Sequence, residues 1–155
     1  MTERLEPANP DYRARVTDSF HRQAFMVSID AELTHVAPGH VEIRLPWRSD
    51  LTQQHGFFHG GIVGVLADTA GGYAAFSLFP ADATVLTVEF KLSLLAPAQG
   101  EALRVRSKVV RSGRTLTVCH SDVFACADNT EIQCATALVT LMRLDGKPDV
   151  PPASS

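Results

Sequence analysis

The sequence predicts an α+β fold in which an antiparallel sheet wraps one long central helix. Three observations predict it. The stretch from Gln53 to Phe76 is the long segment of helical period in the middle of the chain, and segments of period two lie on both sides of it. The joints between the later segments are short and carry turn chemistry, as consecutive antiparallel strands require. The resulting order is helix, two strands, one long helix, four strands, which excludes a doubly wound parallel sheet.

In chain order, residues 1–10 contain two prolines and no periodicity and read as a flexible arm. From Asp11 to Val27, Tyr12, Val16, Phe20 and Ala24 recur every fourth residue, an amphipathic helix. Ile29, Ala31 and Leu33, then Val41, Ile43, Leu45 and Trp47, alternate with polar residues about Pro38-Gly39, a β-hairpin. In the central helix Ile62, Val65, Leu66, Thr69, Tyr73 and Phe76 form an apolar stripe, with Tyr73 and Phe76 read as core. The opposing stripe, Gly61, Gly64, Asp68, Gly71, Gly72 and Ala75, has almost no side-chain volume. Each interior glycine costs about 0.5–1 kcal/mol against alanine, so the stripe implies close approach by another backbone or a ligand. Then Leu86, Val88, Phe90, Leu92 and Leu94 alternate with polar residues as a half-buried strand. Three more strands follow: Leu103 to Val109, Leu116 to Phe124 (through Val118, His120 and Asp122) and Ile132 to Met142 (through Cys134, Thr136, Leu138 and Thr140). The four are expected to form a meander. One domain over residues 11–144 results, with a polar, proline-rich, disordered tail over 145–155.

Composition narrows the function. The 155 residues are 45% hydrophobic and 20% charged, ordinary for one globular domain. A formal charge of -3 argues against nucleic acid as a partner. No apolar run reaches the roughly 18–20 residues that span a bilayer, and MTERLEPANPDYRAR has no apolar core of a secretory signal. Cys119, Cys126 and Cys134 are odd in number and form no CxxC pair, so neither a disulfide framework nor a zinc ribbon is indicated. A reducing, cytoplasmic setting is expected. His55 and His59 have the spacing of a helical metal pair, but Gly56 between them and the want of a third clear ligand argue against a metal.

Asp68 is the carboxylate that needs explaining, because an acid on a small-residue stripe is costly unless partnered. It follows His59-Gly60-Gly61 by nine residues from the histidine, in LADTA; TVEFKLSLLAPA and the turn Arg111-Ser112-Gly113-Arg114-Thr115 come after it in order. On these residues the chain resembles the hotdog-fold acyl-CoA thioesterases of the PaaI-like (phenylacetate-pathway) family, over residues 25–144. The resemblance implies protomers that join their sheets edge to edge, dimers that pair into a homotetramer, and active sites at the dimer interface. It also implies coenzyme A as part of the substrate, with no cofactor. Many relatives place asparagine six residues before the histidine, where this chain has Gln53.

Thioester hydrolysis needs donors for a developing oxyanion and a base or nucleophile opposite. The unpaired N–H groups of a helix start suit the first role, so Gly60 is the expected oxyanion donor, with Gly61 beside it and His59 and Gln53 as orienters. Asp68 is the expected base or nucleophile, and Thr87 could hold the water. Arg111, Ser112, Gly113 and Arg114 would meet the phosphates of coenzyme A. Gly60 and Asp68 lie about 12 Å apart along one helix, at about 1.5 Å per residue. They cannot clasp one carbonyl within a chain, so a second protomer is required. The plainer readings are Asp68 as an ion-paired helix acid, His59 as a helix cap, Gln53 as loop scaffolding and the arginines as solvated turn charges. A non-catalytic acyl-CoA-binding module is the alternative function. A hydratase on the same fold pairs its histidine and acid in a different order.

Overall fold

A computed structural model describes residues 5–152. A first helix, α1 (Tyr12–Arg22), is followed by a short α2 (Ala24–Ser28). The single helix expected over this stretch is broken at Gln23, whose φ of -76° and ψ of 99° leave the helical region. The break rotates the buried side. Val16 and Phe20 are buried on α1, but Met26 and Ile29 follow them into the core instead of Ala24.

The hairpin is as expected: β1 (Glu32–Ala37) pairs antiparallel with β2 (His40–Pro46). Gly39 turns the chain at φ 70°, and its N–H donates to Ser77 Oγ at 2.8 Å, tying the turn to the far end of the central helix. A 3-10 turn (Ser49–Leu51) and a closed loop lead to α3 (Gly60–Phe76).

The central helix is buried on nearly every side, with Val63, Leu66, Ala67, Ala70, Tyr73, Ala74 and Phe76 all in the core. The expected division into an apolar and a glycine stripe does not hold, for Ile62, Val65 and Thr69 are only partly covered. Most of the glycine clearance serves the chain's own sheet. A Cβ on Gly71 would lie 3.1 Å from Val139, and one on Gly64 would lie 3.4 Å from Leu92.

The remaining strands are β3 (Ala83–Leu94), β4 (Ala102–Ser112), β5 (Leu116–Ala127) and β6 (Thr130–Asp145). All pair antiparallel in one six-stranded sheet of order β1-β2-β4-β5-β6-β3. The expected four-strand meander is therefore reduced to β4-β5-β6. Residues 95–101 carry the chain from β3, at the outer edge, past the ends of β6 and β5 to β4. On the way the N–H groups of Leu95 and Glu101 donate to the carbonyls of Cys134 and Cys126, each at 2.8 Å.

The sheet curls closely around α3, and many of the inward side chains of β5 and β6 are small. Thr117, Cys119, Ser121, Val123 and Ala125 line the inner face of β5, and Ala135, Ala137, Val139 and Leu141 that of β6. The period-two residues expected to lead these strands (Leu116, Val118, His120, Asp122 and Phe124; Thr136, Leu138, Thr140 and Met142) face outward instead. Cys134 is buried at the bulge in this pairing. His120 and Asp122 form a partly exposed outer network with Thr136. Beside it, Arg104 and Arg106 pair with Glu42 and Glu131.

Parts of both terminal segments, residues 1–4 and 153–155, lie outside the described residues. Of the rest, the Ala8 N–H reaches the Leu78 carbonyl at 3.2 Å, and Asp149 contacts Arg22 and Thr84. Among the described residues no helix is long and apolar enough to cross a membrane.

Candidate active site

The start of α3 is built by its own sequence. His59 is the N-cap, in extended backbone at φ -60° and ψ 137°, and its Nδ1 accepts the Gly61 N–H at 2.9 Å. That bond fixes the ring as the tautomer with Nδ1 unprotonated and engages the Gly61 donor. The Gly60 N–H has no acceptor among the described residues. Upstream, Gln53 closes its own turn: its Oε1 accepts from the His55 N–H, and its carbonyl accepts from Gly56 at 3.0 Å.

Asp68 lies two turns further along α3 and is half-buried. Its Oδ1 accepts from Thr87 Oγ1 at 2.7 Å, and it has no ion-pair partner among the described residues. Burial pushes its carboxyl above the ordinary aspartate range, while the Thr87 hydrogen bond pulls it part of the way back. The reading of Asp68 as an arginine-paired helix acid does not hold.

Thr87 reaches Asp68 because of a bulge. The β3–β6 register slips between Thr87 and Glu89, so Val85 and Thr87 face the helix before it, and Phe90, Leu92 and Leu94 face it after. Strict alternation places Thr87 opposite Leu92; the extra residue, Val88, puts both on one side.

Asp68 and Thr87 open onto a cavity of about 480 Å³ that runs along α3 past Gly72 and Tyr73. This is within the range of ligand pockets, about 300–1,000 Å³. Tyr73 is buried as expected, yet it also lines this cavity, with its hydroxyl 3.2 Å from Ser19 Oγ. Ser19 and Asp149 line it too. The sequence reading missed both, because neither belongs to a motif and only the fold brings α1 and the tail to α3.

One chain does not gather all the expected residues. Gly60 and His59 remain about 12 Å along the helix from Asp68 (at about 1.5 Å per residue). Ser112, Thr117, Leu141 and Thr87 occupy one cross-strand row. The Arg111–Arg114 turn is thus about 14 Å from Thr87, three strand spacings of about 4.8 Å. Arg111, Ser112, Gly113 and Arg114 are all exposed there.

An antiparallel sheet curled around one long central helix is the hotdog fold of the thioester hydrolases. Among the described residues, this chain adds a carboxylate without an ion-pair partner midway along that helix and a backbone donor without an acceptor at its start. The profile of the thioesterase superfamily matches residues 55–131. A thioesterase family protein from Silicibacter pomeroyi, known from its crystal structure, is 49% identical, with 87% of this chain and 99% of that one covered and a TM-score of 0.86. The chain belongs to the thioesterase superfamily. A Halobacterium salinarum protein whose curated name proposes an esterase is 37% identical over 100 residues, 61% of this chain and 66% of that protein's length. The PaaI protein of the E. coli phenylacetic acid degradation operon is 16% identical over 90% of this chain and 97% of that one, at a TM-score of 0.80, a likeness of fold.

Proposed function

We propose that the protein is an acyl-CoA thioesterase, hydrolysing an acyl- or aryl-acyl-coenzyme A to the free acid and coenzyme A. The observation that carries this reading is Asp68: a half-buried carboxylate with no cation beside it among the described residues, held by Thr87 at the mouth of a cavity. Burial keeps it basic enough to take a proton from water, or to attack the thioester carbonyl itself. The developing oxyanion would be received by the Gly60 N–H of a second protomer, at the positive end of α3. His59 serves by capping that helix start and Gln53 by closing the loop before it. As the C–S bond breaks, the thiolate of coenzyme A leaves and takes up a proton. The exposed Arg111 and Arg114, with Ser112 and Gly113 between them, meet its phosphates.

The sheet edge supports the second protomer. Leu86, Val88, Phe90 and Leu94 are 59%, 53%, 45% and 59% exposed on β3, whose outer side has no pairing strand among the described residues. A long apolar edge of this kind is a template for pairing, and a second copy joined there extends the sheet. A homodimer is the minimum assembly, and two dimers would form the homotetramer.

The test is release of free thiol from a panel of acyl-CoAs by the wild type and by Asp68→Asn. Removing a general base costs about 10²–10⁴-fold in rate, so the variant should fall by that much while still binding substrate in calorimetry. Unchanged turnover by the variant would overturn the role of Asp68, and binding without turnover by the wild type would leave only the reading as a binding module.

A further inference from the structure

The cavity that starts at Asp68 is walled by α3 on one side and by the apolar Val85, Leu141 and Leu144 of the sheet on another. Its far side belongs to neither. It is formed by Ser19, Arg22 and Gln23 together with four residues beyond the last strand, Pro148, Asp149, Val150 and Pro151. Asp149 fastens this segment at three points. Its carbonyl accepts from Arg22 Nη1 at 2.8 Å, its Oδ2 from Arg22 Nη2 at 3.1 Å, and its Oδ1 from Thr84 Oγ1 at 3.0 Å. Arg22 is oriented in turn by Asp18, its Nε donating to Asp18 Oδ2 at 2.9 Å. Pro148 and Pro151, on either side of Asp149 and Val150, limit the backbone freedom of the segment. It therefore spans from α1 to β3 across the end of the cavity opposite the acid.

We propose that the segment Pro148–Pro151, pinned through Asp149 to Arg22 and Thr84, is the distal wall of the acyl pocket and sets the length of acyl chain accepted. This rests on the thioesterase reading, in which the scissile carbonyl sits at Asp68 and the acyl chain runs along α3 past Gly72 and Tyr73. A chain that reaches Val150 and the prolines gains apolar contact. A longer one must displace the segment and break the bonds at Asp149.

The experiment compares kcat/KM over straight-chain acyl-CoAs from butanoyl to palmitoyl for the wild type, for Asp149→Ala and for a chain ending at Gly146. Both variants should move the preference toward longer chains. The ratio of long-chain to short-chain kcat/KM should rise about tenfold, the scale at which an apolar pocket resolves one methylene or more. A purely structural role for the tail would lower every substrate alike, and an unchanged ratio overturns the proposal. Asp149→Ala decides the matter if the shortened chain fails to fold. Calorimetric binding of the free fatty acids, hexanoate to palmitate, reads the same wall without turnover. If the wild type hydrolyses no acyl-CoA, the thioesterase reading falls, while the wall stands only if the variants bind longer acids than the wild type does.

Discussion

Thr87 is held to Asp68 by a single 2.7 Å hydrogen bond, and that bond opposes the effect of burial on the acid. Thr87→Val removes the opposing effect and keeps the shape. The Asp68 pKa should then rise, and the acid limb of the pH–kcat/KM profile should move to higher pH, with the loss of activity greatest at the acidic end. A limb that stays in place would assign the profile to another group. The same burial has a consequence for stability. Asp68 holds its proton more tightly folded than unfolded, so its contribution is most favourable below its ordinary value of 3.8 and is lost as pH rises through the folded value. Asp68→Asn should therefore raise Tm at neutral pH as it removes activity, and the gain should shrink as the pH is lowered toward 3.8.

The central helix separates glycines that make room for the sheet from one that makes room for a ligand. A Cβ on Gly71 would meet Val139 at 3.1 Å, whereas one on Gly72 would meet only Leu141, at an ordinary 3.7 Å. Gly71→Ala should cost about 1–3 kcal/mol by overpacking. Gly72→Ala should be stabilising by about 0.5–1 kcal/mol through helix propensity. It should also narrow the cavity and lower kcat/KM for bulky acyl groups first. Urea unfolding and the acyl-CoA panel measure the two effects. These elements also mark what the sequence could convey. The central helix, the hairpin and the positions of Asp68 and Gly60 follow from local periods and from one motif. The place of β3 beyond β6 does not, because pairing between distant strands leaves no local period, although a seven-residue link with Pro97 and Gly100 is too long for a tight hairpin. The inward face of β5 was hidden for a different reason. Close wrapping selects Cys119, Ser121 and Ala125 over larger neighbours, reversing the usual sign of hydrophobic alternation. The bulge at Val88 has no turn residue to announce it, so the contact of Thr87 with Asp68 becomes visible only in the fold.

At the scale of the molecule, the proposed function together with the 12 Å or so between Gly60 and Asp68 (about 1.5 Å per residue) gives each chain half of two sites. Each half can be removed separately. Gly60 is the first residue of α3, where proline is favoured because its missing N–H has no helical partner. His59 before it already has the extended ψ of 137° that a following proline requires. Gly60→Pro thus deletes the proposed oxyanion donor while keeping the helix start, and the Cβ it adds meets only the mobile end of Leu94. Gly60→Ala is the control that adds the same Cβ and keeps the donor. Gly60→Pro and Asp68→Asn homodimers should both be inactive, but a mixed dimer has one site with the acid from one chain and the donor from the other. Unfolding and refolding the two variants together in equal amounts should restore about a quarter of the wild-type activity: half of randomly assorted dimers are mixed, and each has one of two symmetric sites intact. Gly60→Ala retaining activity that Gly60→Pro loses assigns the effect to the N–H itself. If the mixture stays as inactive as its components while native mass spectrometry shows that mixed dimers have formed, acid and donor do not serve one carbonyl across the interface.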